Sequence, residues 1–309
     1  MDVGVSLSRR AVAVTLTVVV AVLIAYTMYF NLNPSILLEL DPLTIAIAVA
    51  TTTLSIVSTG IRLGKIHAIA YSRSLSVKDY YSARVLGNLV ALLTPSSGGG
   101  EPARAYYLHL KTGDGLAGLF AVAVYEVYVD VIVTNVLAIM FSLYFLPLSI
   151  PVLLVSLGTI AIWTLLVLGL CREGLFNRIV VSFVERLPPQ IASGYDEFIR
   201  VFKKLVSKTL SIDFIPITLY TIAAYMFNAL TIYFISKPLV GGVPLLNALT
   251  GYVFSLALGG LPSPGGAGTV EYGLSISLDP RVVLATRVFM FVYMVVAGSL
   301  VLLSLKKSR

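Results

Sequence analysis

The sequence predicts an all-α polytopic membrane protein with about six transmembrane helices plus two re-entrant broken helices forming an inverted repeat. Three observations carry this reading: the composition, apolar stretches of spanning length, and two proline-glycine breaks within apolar segments. Of the 309 residues 58% are hydrophobic and only 12% charged, with a mean hydropathy of +0.93. A soluble domain carries roughly twice that charge. Stretches of about 20 apolar residues, enough to cross ~30 Å of hydrocarbon, recur at residues 11–30, 43–60, 116–146, 151–170, 212–235 and 282–303. The first follows Arg9 and Arg10 but exceeds the apolar core of a signal peptide and lacks a clean small-residue cleavage site, so it reads as a retained helix.

The formal charge of +7 is sorted along the chain. Arg9 and Arg10, the group Arg62, Lys65, Arg73, Lys78 and Arg84, then Arg104 and Lys111, the basic run 172–208, and Lys306, Lys307 and Arg309 all fall on one side of the predicted topology. Glu39, Asp41, Lys237 and Arg281 fall on the other. By the positive-inside rule the basic side is cytoplasmic, with both termini there. Membrane orientation accounts for the basic balance, and no nucleic-acid partner is expected. Cys171 is the only cysteine, so neither an internal disulfide nor a multi-cysteine metal site is available.

Two apolar segments do not fit as spans. Residues 80–110 are interrupted at Pro95-Ser96-Ser97-Gly98-Gly99-Gly100-Glu101-Pro102, and residues 243–278 at Pro262-Ser263-Pro264-Gly265-Gly266-Ala267-Gly268-Thr269-Val270-Glu271. Both arms of the first are too short to cross; in the second, the first arm is long enough alone and the second is not. Were that arm to span, Lys306, Lys307 and Arg309 would face outward, against the charge rule. Both segments therefore read as re-entrant, the first entering from the cytoplasmic side and the second from the external side. This divides the single transmembrane domain into a first repeat, 43–146, and a second, 212–305, with Pro95 to Gly99 aligning on Pro262 to Gly266. Residues 172–210 carry Phe176, Ile179, Val180, Phe183, Phe198, Ile199, Phe202 and Leu205 at helical spacing among basic residues. This segment reads as an amphipathic interfacial linker on the cytoplasmic headgroups.

Broken helices at membrane depth require protein or water around the exposed backbone, because unpaired N–H and C=O groups cost several kcal/mol in hydrocarbon. The two breaks thus imply a polar cavity, each followed by a half-helix whose N-terminus favours an anion. Pro102 suits a first helical position, after Glu101. The alternative for the glycines is close helix crossing, and for Glu101 and Glu271 it is capping of the half-helix ends. Ionisable residues within spans mark function more often than not: Glu126 and Asp130 share a helix face, Arg287 is the available counter-charge, and Arg104 lies three residues from Glu101. Asn88, Asn135 and Asn228 fit interhelical hydrogen bonding, and Tyr125, Tyr128, Tyr272 and Tyr293 fit packing better than cavity lining. His67 and His109 are the only histidines, and without a neighbouring serine and acid they read as structural. No nucleotide-binding, zinc-protease or hydrolase motif is present; no cofactor or metal is expected.

The residues Asn88, Thr94-Pro95, Gly99-Gly100-Glu101, Arg104 and Leu108, the pair Glu126 and Asp130, the run Pro262 to Gly268 with Glu271, and Arg287 together resemble the flippase-like transmembrane domain of the lysylphosphatidylglycerol synthases. The resemblance covers nearly the whole chain. It implies movement of lipids with modified headgroups, or of polyprenyl-phosphate-linked sugars, across the bilayer. Relatives often carry Glu-Arg where this chain has Glu126-Val127, so Arg287 or Arg104 would supply the missing partner. No aminoacyl-transferase sequence accompanies the domain, which implies a substrate made by a separate lipid-synthesising enzyme. The expected function is a lipid flippase or scramblase for an anionic or phosphate-bearing lipid. The candidate substrate residues are Pro95, Ser96, Ser97, Gly98, Gly99, Gly100, Glu101, Arg104, Glu126, Asp130, Pro262, Ser263, Gly265, Gly266, Gly268, Glu271 and Arg287. The alternatives are a secondary transporter of small or organic anions and, third, an intramembrane lipid-modifying enzyme.

Overall fold

The fold is that of a computed structural model, which describes residues 9–94, 99–171, 189–209, 211–264 and 266–307. It is helical: α1 (Arg9–Tyr29), a 3-10 turn (Pro34–Glu39), α2 (Pro42–Tyr71), α3 (Val77–Leu92), α4 (Gly100–Thr112), α5 (Leu116–Tyr144), α6 (Ile150–Cys171), α7 (Pro189–Val206), α8 (Phe214–Val240), α9 (Leu245–Gly259), α10 (Thr269–Ser275) and α11 (Pro280–Lys307). Among the described residues five helices are long and apolar enough to cross a membrane, namely α2, α5, α6, α8 and α11. The chain is a polytopic membrane protein. The sixth expected span corresponds to α1, which runs 21 residues from Arg9 to Tyr29.

α2 is the longest helix, at 30 residues, and runs well past the predicted end at Gly60. Asp41 starts it, accepting the Thr44 N–H at 2.9 Å and the Thr44 hydroxyl at 2.6 Å. These bonds hold the Asp41 carboxyl below the usual carboxylate range. α8 packs antiparallel along α2, with Thr51 and Thr52 against Thr231, Ser55 against Asn228 and Arg62 against Thr221. Hydroxyl and amide pairs of this kind hold helices together where no hydrophobic drive separates protein from lipid.

Both broken segments fold back as hairpins. In the first, α3 and α4 have 16 and 13 residues, at most ~24 Å of helix and too short to cross. They run antiparallel so closely that a Cβ on Gly100 would lie 3.1 Å from the Gly87 carbonyl oxygen. In the second, α9 and α10 have 15 and 7 residues, and a Cβ on Gly273 would meet the Phe254 backbone at 2.7 Å. The first arm of this segment was expected to be long enough to span. It stops at Gly259 because Gly259-Gly260-Leu261-Pro262 ends the helix.

The hairpins open from opposite ends of α2. Hairpin one starts beside its C-terminal end, where the Tyr80 hydroxyl meets His67 Nδ1 at 2.8 Å and accepts the Leu75 N–H at 2.9 Å. Hairpin two starts beside the C-terminal end of α8, which lies against the N-terminal half of α2; there the Ser236 hydroxyl accepts the Val243 N–H at 2.9 Å. His67 ties α2 to α3, and His109 contacts the Asp114 carbonyl at 2.6 Å in the α4–α5 turn.

Of the predicted amphipathic linker, Phe176, Ile179, Val180 and Phe183 lie outside the described residues. The described part, α7, lays Val201, Phe202 and Leu205 on the bundle, with Phe202 in ring contact with Tyr125 and Phe198 with Phe120 of α5. Lys204 donates to the Ala70 carbonyl at 2.8 Å, near the α2 C-terminus, where a cation complements the helix dipole.

Candidate functional site

The sequence places Glu126 and Asp130 one turn apart on α5, and packing turns both toward α2 and α8. Their main partner is Arg62, inside α2. Its Nη2 donates to Glu126 Oε1 at 2.9 Å and to Asp130 Oδ2 at 2.7 Å. Nη1 reaches Asp130 Oδ1 and, at 2.8 Å, the Thr221 hydroxyl. Arg62 and Glu126 are both 0% exposed. The second Glu126 oxygen, Oε2, faces two further guanidiniums, Arg84 at 3.1 Å and Arg104 at 3.3 Å. Arg104 also pairs with Glu101 at 2.9 Å, and Arg84 donates to the Thr59 hydroxyl at 3.2 Å. Three guanidiniums thus meet three carboxylates, a formally neutral cluster. Single buried ions cost several kcal/mol, which this mutual pairing offsets.

Two expectations change here. Arg62 and Arg84 are not cytoplasmic loop cations: α2 and α3 carry them into the bundle, where both are buried. Arg287 does not meet Glu126 or Asp130. Its Nε donates to Glu271 Oε1 at 2.6 Å, because α11 runs beside hairpin two while three other arginines already surround the α5 acids. Glu271 also accepts the Gly268 N–H at 2.7 Å, so capping and ion pairing coincide in one carboxylate. Of the two partners expected for Glu126, Arg104 reaches it, at 3.3 Å, and Arg287 does not.

Between the hairpins lies a cavity of about 500 Å³. Its charged lining comprises Arg84, Glu101, Arg104, Asp130 and Arg287; Thr52, Ser55, Thr59, Asn88, Asn135, Asn228, Tyr225 and Tyr252 add neutral polar groups. Asn228 bonds both Ser55, at 2.6 Å, and Tyr252, at 2.9 Å, in the expected interhelical role. Tyr225 and Tyr252 escaped the sequence reading, since their spacing matches ordinary helix packing. Tyr125 instead packs on Phe202 and bonds Thr209, and Tyr293 bonds Thr53.

Of the glycine-rich residues, Pro95, Ser96, Ser97, Gly98 and Gly265 lie outside the described residues. Gly266 lines the cavity at φ +72° and Gly268 has φ +85°, conformations that favour glycine. Gly99 donates its N–H to the Thr94 hydroxyl at 3.1 Å, and Ser263 lies 3.3 Å from the Thr269 hydroxyl. Pro262 is exposed near the turn of hairpin two. α4 begins at Gly100, which makes Pro102 its third residue instead of its first. The ring is tolerated there because first-turn N–H groups have no intrahelical acceptor.

No functionally described protein and no solved structure matches the chain. The sequence model of one family, described as the lysylphosphatidylglycerol synthase TM region, matches residues 10–298. With nearly its whole length covered and an apolar helical bundle to match, the chain belongs to the family of lysylphosphatidylglycerol synthase transmembrane regions.

Proposed function

We propose that the protein is a lipid flippase or scramblase for an anionic or phosphate-bearing lipid, acting in the cell membrane with both termini cytoplasmic. The two hairpins are then re-entrant and form an inverted repeat, 43–146 and 212–305. The observation that carries this reading is the polar cavity between the hairpins, walled by arginines inside an otherwise apolar bundle. A bundle needing only stability gains nothing from buried ions, since packed apolar side chains do as well or better.

Arg84 and Arg104 share one carboxylate oxygen of Glu126, so their forks retain N–H donors for a phosphate, whose geometry they match. Recognition by guanidinium fits better than recognition by half-helix ends alone, because Glu271 already occupies the N-terminus of α10. The lipid tails stay in the bilayer while the headgroup crosses. Glu126 and Asp130 are held by Arg62, Glu101 by Arg104 and Glu271 by Arg287. With each of these carboxylates engaged by a guanidinium, the reading we adopt is downhill movement.

The test is reconstitution. Purified protein in liposomes should accelerate transbilayer movement of fluorescent phosphatidylglycerol over empty liposomes. No acceleration by folded protein, together with uptake of free glycerol phosphate, would replace the lipid reading with a small-anion transporter.

A further inference from the structure

A headgroup path inside protein needs an opening to the bilayer, because acyl chains cannot follow the headgroup into a polar cavity without leaving hydrocarbon. The exposure of the cavity wall is uneven. Of the described residues lining it, only Leu256 and Gly260 are exposed, and both lie toward the end of α9 leading into the turn of hairpin two. Val127 and Val131 of α5 and Thr159 of α6 also line the cavity, and α5 and α6 both pack against α9. Four of these five residues present no polar side-chain group.

α3 and α11 pack directly on each other. Leu89 seats so tightly against Gly298 that a Cβ there would lie 2.6 Å from it. The Tyr293 hydroxyl of α11 bridges Thr53 of α2 at 2.8 Å and Tyr81 of α3 at 3.4 Å.

We propose that the cavity opens to the bilayer between Leu256–Gly260 and Val127, Val131 and Thr159, as a lateral portal occupied by the acyl chains of a lipid whose headgroup lies in the cavity. The proposal rests on the flippase reading and adds where the lipid enters and leaves. Gly260 is a suitable place to block it. Its backbone is right-handed helical, at φ −72° and ψ −13°, and a Cβ would find nothing closer than the Ala257 carbonyl oxygen at 3.8 Å. A tryptophan there fills the portal without straining the backbone. Gly158, exposed on α6, outside the cavity lining and with nothing within 4 Å, gives the control for an added ring on the lipid face.

The experiment has two arms on the full chain in liposomes. In the first, Gly260→Trp should slow phosphatidylglycerol flipping at least tenfold, with an unchanged thermal midpoint, while Gly158→Trp keeps the wild-type rate. In the second, phosphatidylglycerol carrying a diazirine on its acyl chain is photolysed with wild-type protein and the labelled peptides are mapped. Label should concentrate at residues 127–131 and 256–260. Label spread evenly over the apolar helices, or a Gly260→Trp variant flipping at the wild-type rate, overturns the portal. Concentrated label without any wild-type flipping would keep the portal as a lipid site and remove the flippase reading instead.

Discussion

Arg62 and Glu126 face each other at 2.9 Å with neither side chain exposed to any degree. Removing one partner strands the other ion inside the bundle, which typically costs about 3–5 kcal/mol. Arg62→Met should therefore lower the thermal midpoint in detergent strongly. The double variant Arg62→Met/Glu126→Leu should recover only part of the loss, since Asp130, Arg84 and Arg104 lose partners too. Equal midpoints for wild type and Arg62→Met would show that the pair does not hold the bundle.

Arg287 belongs to Glu271, and charge exchange tests the assignment. Arg287→Glu should fail to accumulate as folded protein, and Glu271→Arg in the same chain should restore part of it. Glu126→Arg should not. Rescue by the α5 substitution instead would move the pair to the partner first expected from sequence.

Hairpin two depends on a backbone-to-backbone approach at Gly273, where a Cβ would meet Phe254 at 2.7 Å. Backbone cannot yield as a flexible side chain can, so even Gly273→Ala should destabilise, by about 1–3 kcal/mol as in overpacked cores. Gly158→Ala, in open space on α6, should be neutral or slightly stabilising. Thermal midpoints of the two variants measured side by side decide it; equal values contradict the close packing.

If movement is downhill, a pH gradient imposed across the liposome membrane should leave the initial flipping rate unchanged in either direction. Glu101, Glu126, Asp130 and Glu271 are each ion-paired with an arginine. A several-fold change that reverses with the sign of the gradient would establish proton coupling.

Much of this architecture was legible in the chain. Pro95 to Pro102 and Pro262 to Gly268 mark the breaks because proline and glycine punctuate helices whatever the solvent, and Glu126 with Asp130 shows an acidic face through simple spacing. Arg62 was not legible. A window of about 20 residues ends the second span near Gly60, so an arginine just beyond looks like a loop cation, whereas α2 continues to Tyr71. The exchange of partners between Arg287 and Arg62 follows from the same point. Spacing along one helix gives local pairs such as Glu101 with Arg104, but pairs across α2, α5 and α11 depend on tertiary placement. Tyr225 and Tyr252 were hidden for a related reason, since the hydroxyl that makes an aromatic useful in a cavity is the same on a packed face.

Arg84 is buried yet lines the cavity, sharing Glu126 with Arg104 while its Nε bonds only a threonine hydroxyl among the contacts described. The most direct measurement is the ratio of initial flipping rates for phosphatidylglycerol and phosphatidylcholine in liposomes, for wild type and Arg84→Gln. If guanidinium groups receive an anionic headgroup, wild type should favour phosphatidylglycerol, and Arg84→Gln should cut that rate about tenfold or more, the ~1.5–3 kcal/mol of a charged hydrogen bond. Phosphatidylcholine movement should change much less, so the ratio falls toward one. A wild-type ratio near one that Arg84→Gln leaves unchanged would contradict an anion-selective headgroup path through this cavity.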